Sequence, residues 1–171
     1  MKVVFLDIDG VMNNYNYAMG IKNNIEILKN NPKSGMSMIN KLYPHVGDSY
    51  DYYDPSCVDV FNTIMEKTDA NVVVSSAWRL MHSLDDLRDH FERNNMKCKD
   101  RVIDVTPDLG CHRGLEIDQW LVDHPEVTHF VIIDDGDQMK PHMSHLVLTD
   151  FSSGLEDYHL ERIFKLLDEE L

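Results

Sequence analysis

Apolar residues fall along this chain in short unbroken runs, separated by longer stretches in which they recur every three or four positions. Val3-Val4-Phe5-Leu6, Val72-Val73-Val74 and Val131-Ile132-Ile133 are too short for helices and too continuous for strands with one wet face. They predict strands buried on both sides. The expected strands cover residues 2–8, 71–76, 101–105 (stopped by Thr106-Pro107), 130–133 running into Asp134-Asp135, and 145–149. Helical spacing appears at Val58, Phe61, Ile64 and Met65, after Asp54-Pro55-Ser56, which reads as a capping Asp followed by Pro at the first helical position. It recurs at Leu84, Leu87 and Phe91 in a helix over 84–95, and at Leu115, Ile117, Trp120 and Leu121 over 114–122. A last helix over 155–169 carries Leu160, Ile163, Phe164 and Leu167 on one side.

One segment breaks the pattern. Residues 13–53 carry Asn13-Asn14, Asn23-Asn24, Asn30-Asn31-Pro32, Gly35, Pro44 and Gly47 between short apolar patches, with short helices expected over 21–28 and 36–42. We read it as an insertion of roughly forty residues folded over the exit of the first strand, too small to stand as a domain of its own. Residues 1–171 then form one domain. Six of its tyrosines (Tyr15, Tyr17, Tyr43, Tyr50, Tyr52, Tyr53) lie in the insertion, where they either pack it down or stack on a base.

Alternating buried strands and helices predict an α/β fold: three layers, with a mainly parallel five-stranded sheet covered on both faces. Ligands of such sheets bind at the carboxyl ends of the strands, near the switch in strand order. The polar residues that end the apolar runs therefore share one edge: Asp7, Asp9 and Gly10, then Ser75 and Ser76, then Asp134 and Asp135. Taken singly, each has a plainer reading. Asp-Gly pairs make turns, Ser caps helices, and an Arg in a first helical turn is an ordinary surface residue.

Composition narrows the chemistry. With 43% apolar residues the chain can build a core, and no apolar run approaches the ~20 residues that span a bilayer. The start, Met1-Lys2 leading directly into a strand, lacks the pattern of a secretory leader. Three cysteines, Cys57, Cys98 and Cys111, have no metal-binding spacing and fit free thiols, so a cytoplasmic location is expected. A net charge of −14 opposes duplex nucleic-acid binding. Three acids about 4 Å apart repel by on the order of 10 kcal/mol at an effective dielectric near 20. They must protonate or take a cation, and oxygen ligands select a hard one such as Mg²⁺. No histidine spacing suggests zinc.

Asp7-Ile8-Asp9-Gly10-Val11 after an apolar strand resembles the first motif of the haloacid dehalogenase (HAD) superfamily of phosphotransferases. Val73-Val74-Ser75-Ser76, Arg113 at a helix start, and Ile132-Ile133-Asp134-Asp135 resemble the later motifs, in the family's order. Ser75-Ser76-Ala77-Trp78-Arg79, Thr106-Pro107, Arg113-Gly114-Leu115-Glu116-Ile117 and the stretch from Thr149 to Gly154-Leu155 are similar to the HAD domain of "Swiss army knife" RNA repair proteins.

The resemblance implies a Rossmann-like HAD core and a Mg²⁺-dependent phosphomonoesterase. Asp7 would be the nucleophile, Asp9 the general acid and base, and Ser75 and Ser76 the donors to phosphoryl oxygens. Arg113 would stabilise the transferring charge. Asp7, Asp9 (through its carbonyl), Asp134 and Asp135 would hold the metal. Arg79 is the alternative cation, or a grip on a second phosphate, and Gly10 lies beside the phosphate. The implied partner is a phosphorylated small molecule or nucleic-acid end, a nucleotide among them. Other readings are a phosphatase of another metabolite, a phosphoacceptor signalling domain, or a non-catalytic HAD-like domain. The signalling reading fits poorly, because the first strand ends in Asp-Ile-Asp and the fifth in Thr149-Asp150. A dinucleotide-binding fold fails, because Asp-x-Asp-Gly stands where its glycine fingerprint belongs.

Overall fold

The computed structural model describes residues 1–30, Met38, Leu42 and 52–168. Among these, β1 (Lys2–Leu6), β2 (Asn71–Val74), β3 (Val102–Val105), β4 (His129–Asp134) and β5 (Leu146–Leu148) form an all-parallel sheet in the order β3-β2-β1-β4-β5. The chain builds outward from β1 to β3 on one side, then returns to lay β4 and β5 on the other. The switch in strand order thus falls between β1 and β4.

Alternation along the strands divides the core into two layers. Val4 and Leu6 of β1, with Val72, Val74, Val131 and Ile133, face Phe61 and Ile64 of α2 (Pro55–Lys67), Leu87 and Phe91 of α3 (Leu84–Arg93) and Ile163 of α5 (Leu160–Leu166). Val3 and Phe5, with Val73 and Ile132, face Ile117 and Trp120 of α4 (Arg113–Asp123). Phe5 is fully buried there, edge-on to Trp120 at 5.4 Å and to Phe130 at 5.8 Å.

Helix starts follow local chemistry. Asp54 caps α2 by accepting from the Ser56 N–H, with Pro55 at the first position. Ser83 and Asp86 close a capping box on α3. Two expected boundaries are corrected. The helix expected over 21–28 is α1 (Tyr15–Lys29), because Asn14 caps it by accepting from the Tyr17 N–H. Its asparagines and Gly20 mark an exposed face and not breaks. The helix expected from 155 starts only at Leu160, after a 3₁₀ turn (Asp157–His159), because the Leu155 N–H is drawn to the Val11 carbonyl at 2.9 Å. Of the helix expected over 36–42 only Met38 and Leu42 are described, both helical. Residues 31–37, 39–41 and 43–51 of the expected insertion, with Tyr43 and Tyr50, lie outside the described residues. No helix among the described residues is long and apolar enough to cross a membrane.

Replacing Phe5 with Ala should empty the centre of the α4-side layer and lower unfolding stability by about 3–5 kcal/mol. Urea denaturation at unchanged m-value measures it; a loss below about 1 kcal/mol would mean that the layer is not packed as described.

Candidate active site

The backbone ladder runs one residue past the strands, and that extra step assembles the site. The Asp7 N–H donates to the Ile133 carbonyl, and the Ser75 N–H donates to the Leu6 carbonyl, each at 3.0 Å. Asp7 therefore sits between Ser75 on one side and Asp134 on the other. By alternation these three share the face of Phe5, Val73 and Ile132, the face covered by α4. The first residue of α4 is Arg113.

Arg113 completes the contact. One guanidinium nitrogen, Nη1, donates to Asp7 Oδ2 at 2.5 Å and also to Asp134 Oδ2. Gly114 makes this possible: any Cβ at that position would overlap the backbone of Met139 and Lys140, so only glycine lets α4 start so close to the loop after β4. The Gly114 N–H donates to the Gln138 carbonyl at 3.2 Å.

Asp135 joins the acids from the same loop. One carboxylate oxygen from each of Asp7, Asp134 and Asp135 lies within 4.8 Å of the others. Each pair at that spacing repels by about 3 kcal/mol at an effective dielectric near 20. Burial, then the charge of Asp7, pushes the Asp134 carboxyl well above the usual carboxylate range, against the pull of Arg113 and the Gly136 N–H. Asp135 is raised for the same two reasons, in the same order. Burial alone would lower the Arg113 pKa, but Asp7 and Asp134 outweigh it and hold the guanidinium protonated. Three oxygen ligands with this unmet charge fit a hard divalent cation such as Mg²⁺.

Gly10 closes this corner of the site. Its φ is +72°, and a Cβ there would overlap the Asp135 carboxylate. The turn it makes is tied across the sheet edge, where Thr149 Oγ1 donates to the Gly10 carbonyl at 2.8 Å.

The structure separates the two serines. Ser76 accepts from the Trp78 N–H at 3.4 Å and caps the short 3₁₀ turn Ala77–Leu80. Ser75 is wholly buried, and its Oγ has no hydrogen-bond partner among the described residues. A buried hydroxyl left unpaired beside Asp7 is a donor without its acceptor.

Arg79 is not the free cation that the sequence suggested. Its guanidinium donates to the carbonyls of Ser75, Ser76, Thr106 and Pro107 and to Glu116 Oε2, the last at 2.5 Å. Both charged side chains are nearly inaccessible, and Glu116 Oε1 also accepts the Leu109 N–H at 3.1 Å. Arg79 thus ties the end of β2, the loop after β3 and the first turns of α4 together, and has no donor left for substrate.

Asp9 stands apart from the three acids. Its Oδ1 accepts from Asn13 Nδ2 at 2.8 Å and its Oδ2 from Trp78 Nε1 at 2.9 Å. The indole contact has no signal in apolar periodicity. Glu116 escaped for a similar reason, since a buried acid on an amphipathic helix looks like surface. The cleft above the acids has a volume of about 460 Å³ and is lined by Asp7, Arg113, Asp134, Asp135, Asp108 and His112 among others.

This constellation on a parallel sheet, with Asp-x-Asp after the central strand, a hydroxyl after its neighbour and a cation at a helix start, defines a domain of the HAD type, a class of hydrolases of phosphatase kind. A family model, the HAD domain in Swiss Army Knife RNA repair proteins, matches residues 3–160, and the chain belongs to that family. No curated protein and no solved structure matches the chain.

Two substitutions probe the frame. Glu116→Ala leaves Arg79 buried and unpaired and should lower stability by about 3–5 kcal/mol, read by chemical denaturation. Wild-type stability would return Arg79 to the list of substrate-binding groups. Gly10→Ala should strain the turn and displace Asp135; we expect metal affinity, followed by isothermal titration, to fall at least about tenfold.

Proposed function

We propose that this protein is a Mg²⁺-dependent phosphomonoesterase acting through an aspartyl-phosphate on Asp7, and that its substrate is a nucleotide or the phosphorylated end of a nucleic acid. The observation that carries the reading is the register of the sheet edge, which sets Asp7 between the unpaired hydroxyl of Ser75 and Asp134, with Arg113 on both acids.

Asp7, Asp134 and Asp135 would hold the metal, with the Asp9 carbonyl. The ion would neutralise the acids and draw charge off the transferring phosphoryl group. A carboxylate oxygen of Asp7 attacks phosphorus, and the bond to the leaving oxygen breaks with its electron pair remaining on that oxygen. Asp9 delivers the proton that makes the leaving group an alcohol. Water then attacks the aspartyl-phosphate, its proton passes to Asp9, and phosphate departs, so that both carboxyl groups return to their starting states. Ser75 Oγ donates to a phosphoryl oxygen. Arg113, already protonated by its surroundings, holds the negative charge that builds on the phosphoryl group.

The substrate class rests on the family, whose domain occurs in RNA repair proteins. A chain with net charge −14 is unsuited to gripping a duplex and better suited to meeting one phosphate at an end. We further infer that the protein works in the cytoplasm, a reading that its three free cysteines, two of them buried, support.

Asp7→Asn should lower Mg²⁺-dependent hydrolysis of an aryl phosphate by on the order of 10³-fold or more; near-full activity would sink the mechanism. A screen of mononucleotides, sugar phosphates and 3′- or 5′-phosphorylated oligonucleotides then sets the substrate. Turnover of oligonucleotide ends above all others is expected of a repair enzyme. Preference for sugar phosphates would overturn the nucleic-acid assignment.

A further inference from the structure

Asp9 lies three residues past β1, at a turn, where a carboxylate ordinarily finds its hydrogen bonds in water. Here protein donors from two different elements hold both of its oxygens. Asn13 comes from the turn itself, whose backbone is closed by the Gly10 N–H on the Asn13 carbonyl at 2.9 Å. Trp78 comes from the 3₁₀ turn after β2 and approaches the other oxygen through its indole N–H at 2.9 Å.

The indole is itself held in place. The Trp78 backbone N–H is taken by Ser76 Oγ, and the carbonyls of Ser75 and Ser76 are pinned by the buried guanidinium of Arg79. The ring lies against His82 at 5.5 Å and His90 at 4.9 Å, and His90 in turn meets the buried ring of Tyr53 at 5.1 Å. A side chain with this many constraints has one direction for its N–H, and that direction is Asp9.

Two consequences follow from the geometry. The Asp9 carboxylate, held by Asn13 and Trp78, stands outside the cluster made by Asp7, Asp134 and Asp135. Its two oxygens are also fixed relative to Asp7, because Trp78 follows closely after Ser75, whose N–H is bonded to the Leu6 carbonyl beside Asp7. We propose that Trp78 is a positioning residue for the reaction: its indole N–H aims the Asp9 carboxyl at the leaving oxygen. This rests on the reading of Asp9 as the proton donor.

The test uses leaving groups. A nitrophenolate departs without needing a proton, whereas an alkoxide does not, so proton delivery limits the second and hardly the first. First-turnover release of alcohol or phenol is measured with Mg²⁺ for 4-nitrophenyl phosphate and for an alkyl phosphate such as glycerol phosphate, using the full-length protein. Trp78→Phe keeps an aromatic ring but removes the N–H. Benzothienylalanine incorporated at position 78 keeps the shape of the indole as well, and covers the case in which the Phe variant fails to fold.

We expect the rate on the alkyl ester to fall at least about tenfold more than the rate on the aryl ester, with KM for both little moved. Asp9→Asn should show the same selectivity, more strongly. Equal losses on both esters in the Trp78 variants, or no loss on the alkyl ester, would overturn the role of Trp78 if Asp9→Asn remains selective. If Asp9→Asn itself loses equally on both, Asp9 is not the proton donor and the proposal falls with that reading.

Discussion

The rest of the site depends on one enforced repulsion. The backbone bond from Asp7 to Ile133 continues the β1–β4 ladder and leaves two carboxylates side by side on one face of the sheet. Nothing in the side chains favours this; the pairing of the strands imposes it, and Asp135 adds a third charge. Repulsion of about 3 kcal/mol per pair is a large fraction of a domain's net stability, so the strand pairing carries with it a demand for positive charge. Arg113 meets part of that demand by touching Asp7 and Asp134 at once. Burial first, and then the charge of Asp7, still hold the Asp134 and Asp135 carboxyls above the usual carboxylate range.

Delivering Arg113 to that point requires α4 to start almost in contact with the loop after β4, which explains the glycine that follows it. It also requires α4 to keep its register against the neighbouring strands. The pair formed by Arg79 and Glu116 does this from inside the protein. Glu116 lies one turn along α4 from Arg113, and Arg79 lies just beyond Ser75. One buried ion pair with its carbonyl contacts therefore fixes the helix that supplies the cation and the turn that supplies the hydroxyl. Placed at the edge of the cleft but turned inward, Arg79 acts on the site through the parts that it joins.

Much of this was legible in the sequence because the signals were strong. Continuous runs such as Val72-Val73-Val74 cannot be half-exposed, and the residues ending them had to share an edge once the sheet was parallel. The fold class and the grouping of Asp7, Ser75 and Asp134 followed, while Arg113 was indicated only by the resemblance to the HAD motifs. What was not legible depends on where a polar side chain points. Arg79 and Arg113 are both arginines near the ends of core elements, and no pattern of apolar residues says which one faces the cleft. Ser75 and Ser76 are chemically equivalent in sequence, and only the strand's alternation sends the first to the site and the second to a cap. Trp78 reads as core until its N–H is seen on Asp9. The helix boundaries missed at Tyr15 and Leu160 were decided by single tertiary hydrogen bonds and caps, at Asn14 and at Val11, which propensity does not register.

The two aspartates of the first motif are thus unlike in their surroundings, and the difference matches the work that the proposed function asks of them. Asp7 lies at the floor of the cleft against the Arg113 guanidinium. Asp9 lies to the side, between two neutral N–H donors that orient it. An amide and an indole fix its direction without bringing a formal charge, and that choice of partners separates the proposed nucleophile from the proposed proton carrier only two residues away.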